Sequence, residues 1–332
     1  MTKVRVAVLD DYQNLALELA DWAPVRRQAD VVVFDRHLSE DEAVDALRDF
    51  DAICLTRERM ALPGSLLERL PRLKFIAVTG PHNRTLDFAA ADRLGITVSC
   101  TQRSAKGQFA TAELAWGLIL ALARNLPAEA AGMKEGHWQR SVGIALAGKT
   151  LGLIGLGRLG SHMVPIARAF GMDVIAWSQN LTDDKAAAAG ARRVDKDVLF
   201  RDSDFVSLHL VLSERSRHIV GAADIAAMKP SAFLVNTARG PLIEHAALLK
   251  ALQERRIAGA ALDTFDVEPL PADDALRKLD NVILTPHLGY TVRELLQPFY
   301  EATVENLLAW QAGSPLRVLS AAQPHLAGKV VQ

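Results

Sequence analysis

Short apolar runs alternate with longer stretches of helical period along almost the whole chain. In the first third, Val4–Leu9, Val31–Phe34, Ala52–Leu55, Phe75–Val78 and Thr97–Cys100 read as strands. Leu15–Asp21, Glu40–Asp49, Ser65–Leu70 and Phe88–Leu94 read as the helices between them. A long helical pattern from Thr111 to Asn125 interrupts the alternation, which then restarts. Further strands are expected at Thr150–Ile154, Asp173–Trp177, Phe205–Leu210, Phe233–Thr237, Gly259–Leu262 and Val282–Thr285. Further helices are expected at Arg158–Phe170, Asp183–Ala189, Ala222–Met228, Glu244–Arg255 and Arg293–Gln311. Strands alternating with helices require crossover connections, and so predict α/β blocks with parallel sheets covered on both faces. There are two such blocks. The last helix follows the completed second sheet and is free to return to the first block.

Composition narrows the function classes. The chain has 332 residues, enough for two domains, and a net charge of −1, which gives no broad basic surface for nucleic acid or an anionic membrane. Two cysteines, Cys54 and Cys100, make neither a disulfide framework nor a zinc-ligand spacing and read as small buried hydrophobes. The N-terminal residues lead straight into a strand, without the charged and apolar regions of a secretory signal, and no uncharged apolar run is long enough to span a bilayer. The expectation is a cytoplasmic protein with no membrane or nucleic-acid partner.

The segment Leu151-Gly152-Leu153-Ile154-Gly155-Leu156-Gly157-Arg158-Leu159-Gly160 carries the first candidate chemistry. Gly155, Gly157 and Gly160 form GxGxxG between an apolar strand and a helix, the context in which that motif binds a dinucleotide. Gly155 permits the tight turn, Gly157 lets a pyrophosphate approach the backbone, and Gly160 allows close helix–strand packing. Arg158 and Leu159 sit at the helix N-terminus, which offers N–H groups to phosphate. An acidic residue at the end of the next strand would read the ribose hydroxyls of NAD. Here Ser178, 23 positions after Gly155, is followed by Gln179 and Asn180. All three are neutral and none is a cation for a 2′-phosphate, so NAD is preferred and NADP stays open. Lys185 and Arg192 are the nearest cations that the sequence leaves unplaced.

Ligands of open α/β sheets bind outside the carboxyl ends of the strands. Reading the second block there gives Thr237, Ala238 and Arg239, then Asp263 and Glu268, then His287. Hydride transfer to a 2-oxo acid needs a planar cation for the carboxylate, an acid that titrates in the useful range, and an anion that orients it. Arg239, His287 and Glu268 match these three roles. Asp263 either accepts from a nicotinamide amide or caps a loop, and His209 reads as a structural hydrogen-bonder inside its strand.

Together these segments resemble the D-isomer-specific 2-hydroxyacid dehydrogenase family. The resemblance is carried by LGLIGLGRLG at 151–160, MKPSAFLVNTARG at 228–240, AALDTFDVEP at 260–269, NVILTPHLGY at 281–290 and ATAELAWGLILALARNLP at 110–127. It implies a Rossmann-type nucleotide-binding domain, residues 104–291, inserted into a flavodoxin-like substrate-binding domain made of residues 1–103 and 292–332. It also implies NAD as cofactor, a cleft between the domains, a homodimer joined through the inserted domain, and 2-oxo or 2-hydroxy acids such as hydroxypyruvate, glyoxylate, phosphohydroxypyruvate or lactate-like acids as substrates. Backbone N–H groups near Thr79 and Gly80 are then expected to hold the substrate carboxylate beside Arg239 and His287.

Three features depart from the family pattern. Ser178 replaces the usual acid. Pro81 removes an N–H donor from the Thr79–Asn83 loop, and His82 adds bulk there. Tyr290 stands where a small residue is common and narrows the pocket. Arg57 and Arg59 follow a first-block strand and are either solvated charges or anchors for an anionic tail, and Trp138 reads chiefly as a packing residue, the alternative being a substrate contact across the dimer. The reading from another class is a dinucleotide-sensing corepressor-like member without turnover. Neither a disordered extension nor a basic patch supports it.

Overall fold

The computed structural model describes residues 3–102 and 107–325. The chain forms two compact units, Met1–Gln108 with Val292–Gln332, and Phe109–Thr291. The expected domain boundary between residues 103 and 104 lies outside the described residues.

Unit 1 carries β1 (Val4–Leu9), β2 (Ala29–Val33), β3 (Ala52–Leu55), β4 (Phe75–Val78) and β5 (Thr97–Cys100), all parallel where they pair. In unit 2 the strands are β6 (Thr150–Ile154), β7 (Asp173–Trp177), β8 (Arg192–Arg193), β9 (Phe205–Leu208), β10 (Phe233–Asn236), β11 (Gly259–Leu262) and β12 (Val282–Leu284). A last short strand, β13 (Val318–Leu319), pairs antiparallel with β5 at the edge of the unit 1 sheet. The sheet orders are β13-β5-β4-β3-β1-β2 and β12-β11-β10-β9-β6-β7-β8. The first is the flavodoxin-like order with its switch point between β1 and β3. The second is the Rossmann order with its switch point between β6 and β9.

Burial explains the apolar runs. Every residue of β3, β4, β9 and β11 is buried, because helices cover both faces of each sheet. Leu47, Phe50, Leu66 and Leu67 close one core over the unit 1 sheet. In unit 2, Leu199, Phe200, Leu248 and Leu252 pack on one face, while Ala115, Ile119, Met163 and Val164 pack on the other. Each of these side chains larger than alanine contributes about 1.5–3 kcal/mol of burial. Cys54 and Cys100 lie in these cores, and burial pushes the Cys100 thiol up to about 11.

Local chemistry sets several boundaries differently from the apolar pattern. Leu15–Asp21 forms turns, because both carboxylate oxygens of Asp11 accept from the backbone, from Leu15 and Ala16, and hold the chain in a tight bend. The helix follows at Ala23–Gln28, with Pro24 in its first turn. The long helix Ala110–Arg124 ends at Asn125, whose φ of +52° is the left-handed stop that asparagine tolerates, and Leu126–Lys134 continues as a separate helix. The helix Lys196–Asp202 and the two-residue strands β8 and β13 have no apolar period long enough to read.

Candidate active site

The glycine cradle divides its work between three positions. Gly155 has a φ of +99°, and a Cβ there would lie 2.8 Å from the carbonyl oxygen of His209. At Gly160 a Cβ would lie 2.1 Å from the carbonyl oxygen of Gly155, so the helix Arg158–Ala169 can approach the strand only without one. Gly157 is exposed, with no atom within 4 Å of its Cβ position. It starts that helix, and no side chain caps the first turn. The space over Gly157 and the uncapped N–H groups beneath it fit a pyrophosphate. Arg158 is exposed and Leu159 half-buried at the same end.

At the ribose end, β7 stops at Trp177, leaving Ser178 half-buried and Gln179 exposed. The candidate cations do not gather there. Arg192 lines a depression with Thr150 and Asp173, at the amino ends of β6 and β7, the edge opposite the cradle. Lys185 follows Asp183 and Asp184 in the first turn of its helix. Arg193 donates from Nε to the carbonyl oxygen of Leu181 at 3.0 Å and lies within 4 Å of both Asp183 and Asp195.

His287 and Glu268 come together from two loops. Nδ1 of the histidine lies 2.6 Å from Oε2 of the glutamate, and the side chains are 25% and 30% exposed. The other glutamate oxygen, Oε1, accepts from the backbone N–H of Phe265 at 2.8 Å. Arg239 follows β10. Its turn is fixed by Asn236, whose Oδ1 accepts from the Ala238 N–H and whose Nδ2 donates to the Arg239 carbonyl. The next residue, Gly240, packs so closely on Phe265 and Asp266 that a Cβ would lie 2.2 Å from the Phe265 carbonyl carbon. The Arg239 turn thus leans on the loop that aims Glu268 at His287. Arg239 is half-buried and its Nη1 donates to the Ala238 carbonyl at 2.8 Å. Thr237 is 4% exposed, and its Oγ1 has no hydrogen-bond partner.

Asp263 does the loop-holding work that was one of its two sequence readings. It is fully buried. Its Oδ1 accepts from the Leu288 N–H at 2.7 Å and the Thr285 hydroxyl at 2.6 Å, and its Oδ2 accepts from the Gly289 N–H at 2.9 Å. Burial raises its pKa, opposed by these donors. His287 itself has a φ of +53°, held between these anchored residues. Asn236 and Thr285 were missed in the sequence. The signal for both was a polar residue closing an otherwise apolar strand.

His209 lies just past β9, whose last residue is Leu208, and shares a hydrogen bond with the Ser207 hydroxyl at 3.0 Å. Burial lowers its pKa to about 4, so it stays neutral near pH 7. Tyr290 meets His287 as a T-shaped ring pair with centroids 5.4 Å apart. Trp138 is 74% exposed, so it is no packing residue within this chain.

The Thr79–Gly80 loop of unit 1 uses two of its backbone N–H groups within the unit. The Gly80 N–H donates to Thr101 Oγ1 at 2.7 Å, and the Thr79 N–H donates to the Leu55 carbonyl at 3.3 Å. Pro81, which follows, has no N–H to offer. Arg57, left open by the sequence, lies over Gly80, its Nη1 donating to the Thr79 carbonyl at 3.1 Å.

Unit 2 is thus a dinucleotide-binding Rossmann domain with a paired histidine and carboxylate at its ligand edge. Residues 116–289 match the D-isomer specific 2-hydroxyacid dehydrogenase, NAD binding domain. The chain belongs to that family of NAD-dependent oxidoreductases. It is 35% identical to the glyoxylate reductase of Aeropyrum pernix over 94% of both chains. It is 40% identical to the D-3-phosphoglycerate dehydrogenase of Methanocaldococcus jannaschii over 77% of this chain and 49% of that one, so it spans about half the length of that relative. Among solved structures, phosphoglycerate oxidoreductase from Vibrio cholerae superposes with a TM-score of 0.87 at 36% identity, covering 93% of this chain and 99% of that one. The cofactor of the matched domain is NAD(H). These relatives do not favour the sensor reading.

Proposed function

We propose that the protein reduces a 2-oxo acid to a D-2-hydroxy acid, and oxidises it in reverse, with NAD(H) as the preferred cofactor. The observation that carries this reading is the His287–Glu268 pair beside the Arg239 turn, at the carboxyl edge of a sheet whose glycine cradle is open at Gly157. NADH, when bound, supplies the hydride for the carbonyl carbon. Gly155, Gly157 and Gly160 seat the pyrophosphate with the helix N-terminus at Arg158 and Leu159, while Ser178 and Gln179 face the ribose. Thr237 and Ala238 border the nicotinamide, and Asp263 holds the loop that carries His287. Arg239 holds the substrate carboxylate in a bidentate grip. His287 donates the proton to the carbonyl oxygen from Nε2, since Nδ1 is engaged by Glu268, and Glu268 favours the imidazolium that this requires. In the oxidative direction neutral His287 takes the hydroxyl proton.

Preference for NAD(H) over NADP(H) is supported by the neutral side chains of Ser178, Gln179 and Asn180 and by the acidic residues around Lys185 and Arg193. Homodimer formation through unit 2 is supported by Leu126, Met133, Trp138 and Val142, which are 50%, 54%, 74% and 95% exposed on one stretch of chain. The deciding experiment is a panel of 2-oxo acids, glyoxylate, hydroxypyruvate, pyruvate and phosphohydroxypyruvate among them, followed at the nicotinamide absorbance with NADH and with NADPH. Turnover of one or more with NADH is expected. No turnover of any would overturn the reading.

A further inference from the structure

A cation does stand at the ribose end of β7, and it comes from a helix that the apolar pattern does not show. Strand β8 runs parallel to β7, and the Val194 N–H continues the pairing onto the Ala176 carbonyl at 3.1 Å. The chain therefore leaves β8 at the end where Trp177 and Ser178 close β7, and the helix Lys196–Asp202 begins two residues after Val194. Nζ of Lys196 lies 5.8 Å from the centroid of the Trp177 ring and 5.9 Å from that of Phe200. Trp177 is the residue before Ser178. The ammonium is engaged: it donates to Oδ2 of Asp224 at 2.8 Å, and the two side chains are 28% and 18% exposed. Asp224 is fixed in turn. The same oxygen accepts from the Gly221 N–H at 2.9 Å, in the first turn of the helix Ala222–Ala227.

We infer that the Lys196–Asp224 pair sets the preference for NAD(H) over NADP(H): Lys196 is a latent partner for a 2′-phosphate, and Asp224 withholds it. This rests on the proposal that the chain binds a nicotinamide dinucleotide with its adenosine ribose at Ser178. A phosphate monoester carries about 1.5–2 negative charges near pH 7 and is best compensated by a cation. Ser178, Gln179 and Asn180 supply none. To supply one, Lys196 would have to leave a partly buried carboxylate and two ring faces, and that carboxylate would then stand unpaired near the phosphate. Both penalties fall on NADP(H), because the ribose hydroxyls of NAD(H) are neutral. Discrimination of this kind acts by penalising the wrong ligand.

The test is direct binding with no oxo acid present, by fluorescence titration of the full chain with NADH and with NADPH. Asp224→Asn keeps an acceptor for the Gly221 N–H and removes the charge that holds Lys196. NADPH should then bind about ten- to hundred-fold more tightly than to the parent, the scale of a charge-assisted hydrogen bond, with NADH nearly unchanged. The double variant Lys196→Met with Asp224→Asn should lose that gain, which separates the ammonium from a general loss of negative charge. Should Asp224→Asn fail to fold, Asp224→Gln takes its place, since glutamine also serves at this position of a capping box. An unchanged ratio of the two affinities in Asp224→Asn overturns the inference, as does a gain that survives in the double variant. A parent that binds NADPH as tightly as NADH also overturns it. In each of these cases NADH still binds and the proposed reaction stands. A parent that binds neither dinucleotide sinks the proposed reaction and the inference together.

Discussion

Nδ1 of His287 and Oε2 of Glu268 stand 2.6 Å apart, while Oε1 of the same glutamate accepts from the Phe265 N–H. One carboxylate thus has a fixed end and a working end. The fixed end stops it rotating, and the working end leaves Nε2 as the imidazole nitrogen available to a substrate oxygen.

Glu268→Gln separates charge from shape. The amide oxygen can still accept from Phe265, but the anion beside the imidazole is gone. In the reductive direction kcat should fall roughly 10- to 1000-fold, the range of general acid–base effects, with KM changed little. Steady-state kinetics with the best oxo acid of the panel checks this. An unchanged kcat would remove Glu268 from the proton-transfer machinery.

Gly157→Ala separates cofactor binding from folding. Nothing lies within 4 Å of the added methyl, and the φ of −82° suits alanine. Thermal stability should therefore be unchanged, while the methyl occupies the space assigned to the pyrophosphate. NADH affinity, followed by fluorescence titration, should fall by about 10- to 100-fold, or roughly 1.4–2.8 kcal/mol. Gly160→Ala should instead lower stability as well, because its methyl runs into the Gly155 carbonyl.

The contrast between those two glycines shows how far the sequence could be read. GxGxxG between a strand and a helix gave the cradle, and continuous apolar runs gave the central strands, because burial on both faces leaves that mark in one dimension. The placing of Arg239, Glu268 and His287 beyond the carboxyl ends of strands was legible because each follows an apolar run. Chain-distant hydrogen bonds were not legible. Nothing in the spacing says that Thr101 uses up the Gly80 N–H or that Asp263 spans Thr285 to Gly289. The turn at Leu15–Asp21 was misread as helix because a single carboxylate, Asp11, outweighs a weak helical period. Trp138, read chiefly as a packing residue, is exposed in the single chain, a difference that spacing along the sequence does not mark.

Asp263 carries the loop that presents His287, so its loss should register in both stability and rate. Asp263→Ala leaves the Leu288 and Gly289 N–H groups and the Thr285 hydroxyl without their acceptor in a buried site. Denaturant unfolding should show a loss of about 3–5 kcal/mol, the scale for stranding several buried donors. A variant as stable as the parent would show that the loop is held by other means.

The pH dependence of stability has a signed contribution from His209. Its folded pKa is about 4, against an ordinary 6.5. The unfolded chain therefore binds the proton first as the pH falls. The neutral, buried ring contributes its full stability above about pH 6.5 and loses it progressively down to about pH 4, by up to about 3 kcal/mol. Asp10 and Asp263, raised by burial, act in the opposite sense, because the folded state binds their protons more readily. The parent must therefore be compared with His209→Gln, which can keep the hydrogen bond to Ser207 but does not titrate. Unfolding free energies measured from pH 7 to pH 4.5 should fall more steeply for the parent than for His209→Gln. Parallel curves would mean that the His209 ring is solvated and titrates normally in the folded protein.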